Sequence, residues 1–114
     1  MSTQVIRLED AKSLIEHAPR DVHAQLRAGR AMLVDVREAG EYETARVPGS
    51  FLMPLSCFDA THFPALPGVR VILMCAVGKR SAAAAKQLMN AGAREVHHMQ
   101  GGFNAWKAEG LDFI

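Results

Sequence analysis

The stretch Cys75-Ala76-Val77-Gly78-Lys79-Arg80-Ser81 puts a thiol, a glycine and two adjacent cations within seven residues. It follows the unbroken apolar run Val71-Ile72-Leu73-Met74 and leads straight into Ala82-Ala83-Ala84-Ala85-Lys86-Gln87-Leu88-Met89. The run has the character of a strand buried on both faces, and the Ala-rich segment that of a helix. Cys75 therefore stands at the carboxyl end of a strand, on a short turn that opens a helix. In open α/β sheets this is where ligands bind. Successive backbone N–H groups in such a turn converge as an anion-binding nest, reinforced by the positive end of the helix dipole. Both effects favour the thiolate of Cys75, which is the nucleophilic form. Gly78 lets the turn curl without a side chain in the way. Lys79 and Arg80 add positive charge, and the whole pattern points to a cysteine that attacks an anion.

The elements that must position this turn are legible around it. Ala31-Met32-Leu33-Val34, closed by Asp35, is a second buried strand, and Glu95-Val96-His97-His98-Met99 a shorter one. Residues 19–29 begin with Pro19, end with Gly29 and space Val22 and Leu26 four apart, as an amphipathic helix does. The Ala-rich helix ends near Gly92, and a short helix over Phe103–Ala108 is closed by Gly110. Residues 44–68, rich in Pro and Gly, are expected to hold one short strand at Ser50-Phe51-Leu52 and otherwise loops or a brief helix. Strands alternating with helices imply an α/β fold, a central parallel sheet of about five strands with helices on both faces. Residues 1–16, with Leu8, Ala11, Leu14 and Ile15 on one helical face, are expected to form a helical extension ahead of a domain over 17–114.

Length and composition narrow the possibilities. A chain of 114 residues is one domain, 49% hydrophobic and 22% charged, ordinary for a globular protein. The net charge of +1 gives no overall pull toward nucleic acid or anionic membrane, so any preference for anions is local. The longest apolar run falls far short of the roughly 18 residues a membrane span needs. Acidic Glu9 and Asp10 stand where a secretory peptide would have its apolar core, so no export signal is expected. Two cysteines without a secretory context read as free thiols in a reducing compartment, the cytoplasm. Cys57, in a Pro-rich connection without basic neighbours, reads as inert. His97 and His98 are adjacent on a strand and point to opposite faces, and His17, His23 and His62 lack ligand spacing, so no metal is expected.

With these residues placed, the chain resembles the rhodanese family of single-domain sulfurtransferases over roughly residues 17 to 112. Three blocks carry the resemblance. Asp35-Val36-Arg37-Glu38 with Glu41-Tyr42, followed by Val47-Pro48-Gly49-Ser50, is similar to the family's D-x-R-E…E-[FY] and H-I-P-G-A signatures. Cys75, Gly78, Arg80 and Ser81 match C-x-x-G-x-R-S, and Gly101-Gly102-Phe103-Asn104-Ala105-Trp106 with Gly110 is similar to the closing G-G-x-x-x-W…G. Arg46 departs from the pattern, standing where the family usually has histidine, and the N-terminal extension is a second departure.

The resemblance implies a sulfurtransferase in which Cys75 takes the outer sulfur of thiosulfate or a related donor, holds it as a persulfide and passes it to cyanide or a thiol. The backbone amides of Ala76, Val77, Gly78, Lys79 and Arg80 would stabilise the thiolate and the bound donor. Asp35, Arg37 and Ser81 would support the loops, and Trp106 would pack in the core. No separate general base is evident, and none is needed if Cys75 is already ionised. The expected partners are a small anionic donor and a thiol or dithiol acceptor, which a protein can supply, with no cofactor, nucleic acid or membrane. The alternative is a persulfide carrier without turnover, or a regulatory binding module. A nucleotide-binding P-loop aligned on Gly78-Lys79 fails, because Leu73 and Arg80 replace the glycine and the hydroxyl residue it requires. Cysteine phosphatases and arsenate reductases use C-x5-R, whereas Arg80 comes one residue early and Ser81 holds the required position.

Overall fold

A computed structural model describes residues 3–7 and 12–114. In chain order the elements are β1 (Thr3–Arg7), β2 (Ser13–His17), α1 (Pro19–Arg27), β3 (Ala31–Asp35), α2 (Ala39–Thr44), β4 (Phe51–Leu52), β5 (Arg70–Met74), α3 (Lys79–Asn90), β6 (Glu95–Met99) and α4 (Gly102–Ala108). Single 3-10 turns at Leu55–Cys57 and Ala60–His62 fill the Pro-rich connection. The strands form a six-stranded sheet in the order β1-β2-β6-β5-β3-β4. Among the described strands of this sheet only the β1–β2 pairing is antiparallel, so the expected parallel sheet is present with one antiparallel edge strand added.

Alternation along the central strands explains why both faces are covered. Leu73 and Cys75 point into a core with Leu14, Val34, Val36, Val96 and the inner face of α3 (Ala84, Ala85, Leu88, Met89). Ile72 and Met74 point the other way, into a core with Leu33, Met99, Val22 of α1 and Phe103 and Trp106 of α4. A strand that is apolar at every position belongs between two layers, and each fully buried aliphatic side chain contributes about 1.5–3 kcal/mol.

The opening segment corrects the helical expectation. Thr3–Arg7 and Ser13–His17 are strands, while Leu8 and Ala11, two of the four residues of the helical stripe, lie outside the described residues. The physical reason is the edge of β6. Its N–H and C=O groups would be unpaired without a neighbour, and β2 supplies one in parallel register from Ser13↔Glu95 to His17↔Met99. Leu14 then turns into the α3-side core and Ile15 to the opposite face, a period of two that the spacing of a helical stripe obscures. α2, also unforeseen, is a six-residue helix held by a reciprocal capping box between Glu38 and Glu41.

Candidate active site

Cys75 immediately follows β5, and Gly78, in the left-handed region at φ 105°, is the N-cap of α3. That conformation is open to glycine at little cost. The turn it makes brings two backbone donors onto one sulfur: the Gly78 N–H donates to Cys75 Sγ at 3.0 Å and the Ser81 N–H at 3.3 Å. Ser81 Oγ lies 3.6 Å from the same sulfur. Burial pushes the Cys75 thiol up, but the Ser81 amide and hydroxyl and the Gly78 and Val77 amides outweigh it, so the thiol titrates below its ordinary range. Of the five loop residues expected to supply amides, Gly78 donates directly to the sulfur and Val77 acts on its titration, while Ser81, expected in a supporting role, is a direct donor. Ala76 contributes through its carbonyl, as follows.

The loop is held from behind by the start of α4. The Phe103 N–H donates to the Cys75 carbonyl at 2.7 Å and the Asn104 N–H to the Ala76 carbonyl at 3.0 Å. With the Ala76 carbonyl drawn toward α4, the Val77 N–H that follows it is turned to the sulfur. Gly102 makes the approach possible: a Cβ there would sit 2.3 Å from the Cys75 carbonyl oxygen. Trp106, almost fully buried as expected, anchors α4 and donates its indole N–H to the Asp112 carbonyl at 2.8 Å.

The charged residues around the loop are mostly matched to one another. Asp35 and Arg37 form a buried pair, with Arg37 Nη2 at 2.8 Å from Oδ2 and also donating to the Ala45 carbonyl at 2.7 Å. The guanidinium lies 4.3 Å from the centre of the Phe103 ring, tying the end of β3 to α4. Arg80 does not stand free: it makes a two-pronged bridge to Glu41 of α2, at 2.6 and 2.9 Å. The Arg80 hydrogen bonds hold the Glu41 carboxyl down at about 2 against the opposing effect of burial. The bridge couples the first turn of α3 to α2 and leaves exposed Lys79 as the other cation of the loop. Val77, at the tip, is 54% exposed. Beside the loop a cavity of roughly 420 Å³ is lined by Arg37, Glu41, Ala76, Phe103, Asn104 and Lys107. Both cysteines are free thiols, Cys57 exposed and Cys75 buried. Among the described residues no three His, Cys, Asp or Glu side chains converge as a metal site would require.

A model of the rhodanese-like domain matches residues 18–109. The chain belongs to the rhodanese-like domain family. Among curated proteins, an uncharacterized protein of Synechocystis is 33% identical over 97 residues, covering 85% of this chain and 54% of that protein. The probable adenylyltransferase/sulfurtransferase MoeZ of Mycobacterium tuberculosis is 36% identical over 91 residues, covering 77% of this chain and 23% of that protein. The chain thus spans about half of the first relative and a quarter of the second. Among solved structures, a thiosulfate sulfurtransferase from Pseudomonas aeruginosa aligns with a TM-score of 0.76 at 29% identity, covering 87% of this chain and 20% of that one. At the family level, this rhodanese-like domain is related to sulfurtransferases.

Two residues near the sulfur were not read from the sequence as part of this rhodanese-like site. His98 approaches Ser81 Oγ with Nδ1 at 2.8 Å, and Glu16 approaches His98 Nε2 with Oε2 at 2.9 Å. The available signal was strand alternation: Leu73 of β5 is paired with His98 of β6, which puts His98 on the face that Cys75 also occupies. His97 faces the other way, with Nδ1 at 2.8 Å from His17 Nε2. Burial, with Arg70 and His17 nearby, brings it down to about 4. At Arg46, the departure from the family pattern, the backbone pairs in both directions with Ile114 and the side chain caps the Tyr42 carbonyl at 3.2 Å. No membrane-crossing helix, long and apolar enough, occurs among the described residues.

Proposed function

We propose that this domain is a sulfurtransferase that moves a sulfane sulfur from thiosulfate, or a related anionic donor, to a thiol acceptor through a persulfide on Cys75. The observation that carries the reading is the pair of amides, from Gly78 and Ser81, aimed at a sulfur whose titration is lowered despite burial. The thiolate attacks the outer sulfur of thiosulfate, the S–S bond of the donor breaks, and sulfite leaves with the electron pair. Cys75 now carries Cys–S–S⁻. Cyanide, or a thiolate acceptor, attacks the terminal sulfur and departs with it as thiocyanate or a new persulfide, restoring the Cys75 thiolate. The same amides that hold the thiolate stabilise the persulfide anion, so the covalent intermediate costs little reorganisation. The cavity beside Ala76 is lined by Lys107 and Arg37, and exposed Lys79 adds a further cation on the loop, giving an anionic donor a cationic approach. Free thiols of this kind suit a reducing compartment such as the cytoplasm.

Loop shape supports sulfur transfer over phosphoryl chemistry. A phosphoryl group must be wrapped by a wider ring of amides closed by a free arginine, whereas Arg80 is committed to Glu41 and follows Cys75 after only four residues. The experiment is a direct comparison of the full chain with thiosulfate plus cyanide and with an aryl phosphate. Thiocyanate formation without phosphate release is expected. Cys75-dependent phosphate release with poor thiocyanate formation would overturn the assignment.

A further inference from the structure

The polar chain behind the sulfur runs from the nucleophile across β6 to β2. Cys75 Sγ, Ser81 Oγ, His98 Nδ1 and, across the ring, His98 Nε2 and Glu16 Oε2 are linked at 3.6, 2.8 and 2.9 Å. Cys75, Ser81 and His98 are almost entirely buried, at 1%, 0% and 3% exposure, and Glu16 is partly open to solvent. Three elements, β2, α3 and β6, and the residue just after β5 contribute, so the arrangement is a product of the tertiary register and not of one local motif. Glu16 and His98 are direct register partners across the β2–β6 pairing.

The donor and acceptor inventory fixes what this chain can do. A carboxylate only accepts, so His98 Nε2 carries a proton toward Glu16. Nδ1 then shares one hydrogen with the Ser81 hydroxyl, which has the Gly78 carbonyl at 3.2 Å as a second, more distant acceptor. In the thiol form Cys75 S–H donates to Ser81 Oγ, and the Ser81 O–H donates to bare Nδ1. Moving each of these two protons one place along gives a thiolate that accepts from the Ser81 O–H and an imidazolium whose Nδ1–H donates back to Oγ. No proton is gained or lost overall. The new positive charge lies between the Cys75 thiolate and the Glu16 carboxylate, and the negative charge lies under the Gly78 and Ser81 amides. The titratable groups on the face of His98 are Glu16 from β2 and Cys75 just after β5, while His17, on the opposite face of the sheet beside His97, feels His98 only through its charge. α3 buries only Ser81 and apolar residues against this face.

We propose that Ser81, His98 and Glu16 form a proton relay that draws the proton from the Cys75 thiol and holds it on His98 beside Glu16. The proposal deepens the sulfurtransferase reading and rests on Cys75 being its nucleophile. It assigns Ser81 as the group that touches the reacting sulfur, and His98 and Glu16 as positioning residues acting through it. It also supplies the base that the sequence did not reveal: in the resting protein the thiolate is charge-balanced by His98, while the hydrogen bonds of Arg80 go to Glu41 and its charge reaches Cys75 only at a distance.

The test follows the ionisation of Cys75 by its rate of alkylation with iodoacetamide across pH, in a Cys57→Ser background so that one thiol reports. His98→Asn keeps a side chain that can accept from Ser81 but cannot take up a proton. It is expected to slow alkylation near pH 6 by about tenfold, moving the profile up by about one unit. Glu16→Gln, changed at the partly solvated end, is expected to move it in the same direction by less. In the wild-type protein, 15N spectra should show both ring nitrogens of His98 protonated near neutral pH, with Nδ1 losing its proton once Cys75 is carbamidomethylated. An unchanged alkylation profile in folded His98→Asn overturns the relay. So does a bare Nδ1 in the reduced wild-type chain, a readout that requires no variant to fold. Neither measurement uses a sulfur donor, so failure of the relay and failure of the sulfurtransferase reading are separate results.

Discussion

Replacing Cys75 by serine is expected to abolish sulfur transfer, lowering thiocyanate formation by more than about a thousandfold, while the fold is retained. Serine is close in size, and the Gly78 and Ser81 amides that donate to Sγ find an oxygen acceptor in its place. What is lost is chemical. A hydroxyl has almost no anionic form near neutral pH, and an oxygen cannot hold the transferred sulfur as a persulfide. Cys57→Ser is the matched control: this thiol is exposed, on a separate 3-10 turn, and its loss should leave the rate unchanged. Circular dichroism and thiocyanate formation on both variants check the pair. Substantial activity in the Cys75 variant, or its loss in the Cys57 variant, would place the nucleophile elsewhere.

Gly102→Ala is expected to be nearly as damaging without touching any reacting atom. The new Cβ would lie 2.3 Å from the Cys75 carbonyl oxygen and 2.6 Å from the carbonyl carbon and oxygen of Ala76, at a backbone φ of +62°. These neighbours are main chain, so relief requires the loop itself to move away from α4. That breaks the Phe103 and Asn104 hydrogen bonds that turn the carbonyls away from the sulfur. Left-handed strain and overpacking together should cost about 2–4 kcal/mol of stability. A displacement of about 1 Å in the loop should lower kcat/KM by a hundredfold or more. Gly68→Ala separates the two causes, having a similar φ of +75° but nothing within 4 Å of an added Cβ. It should lose about 1 kcal/mol and keep full activity. Melting temperatures and thiocyanate rates for both variants test the argument, and a fully active Gly102→Ala protein would refute the clamp.

The parts of the site that were legible in the sequence are those fixed by local order. Val71–Met74 and the Ala-rich run after Cys75 specify strand, turn and helix over a dozen residues, and Gly78 marks the position where the turn needs a left-handed residue. What was not legible depends on distance along the chain. Arg80 meets Glu41 from 39 residues away, and His98 meets Glu16 from 82 away, and neither pairing exists until the sheet register is set. α2 is only six residues, contains Gly40, and owes its start to two glutamates that a composition scan reads as surface charge. Residues 13–17 fit a helical stripe as well as a strand, and the open edge of β6 decides between them.

The central claim is that Cys75 carries the sulfur in transit. Its most direct test is the mass of the reduced full chain after incubation with thiosulfate, with the modified residue located by peptide mapping, and again after addition of cyanide. The account predicts one added sulfur atom on Cys75, lost on adding cyanide with stoichiometric thiocyanate. Turnover with no added sulfur at Cys75, or with the sulfur on Cys57 instead, would contradict it.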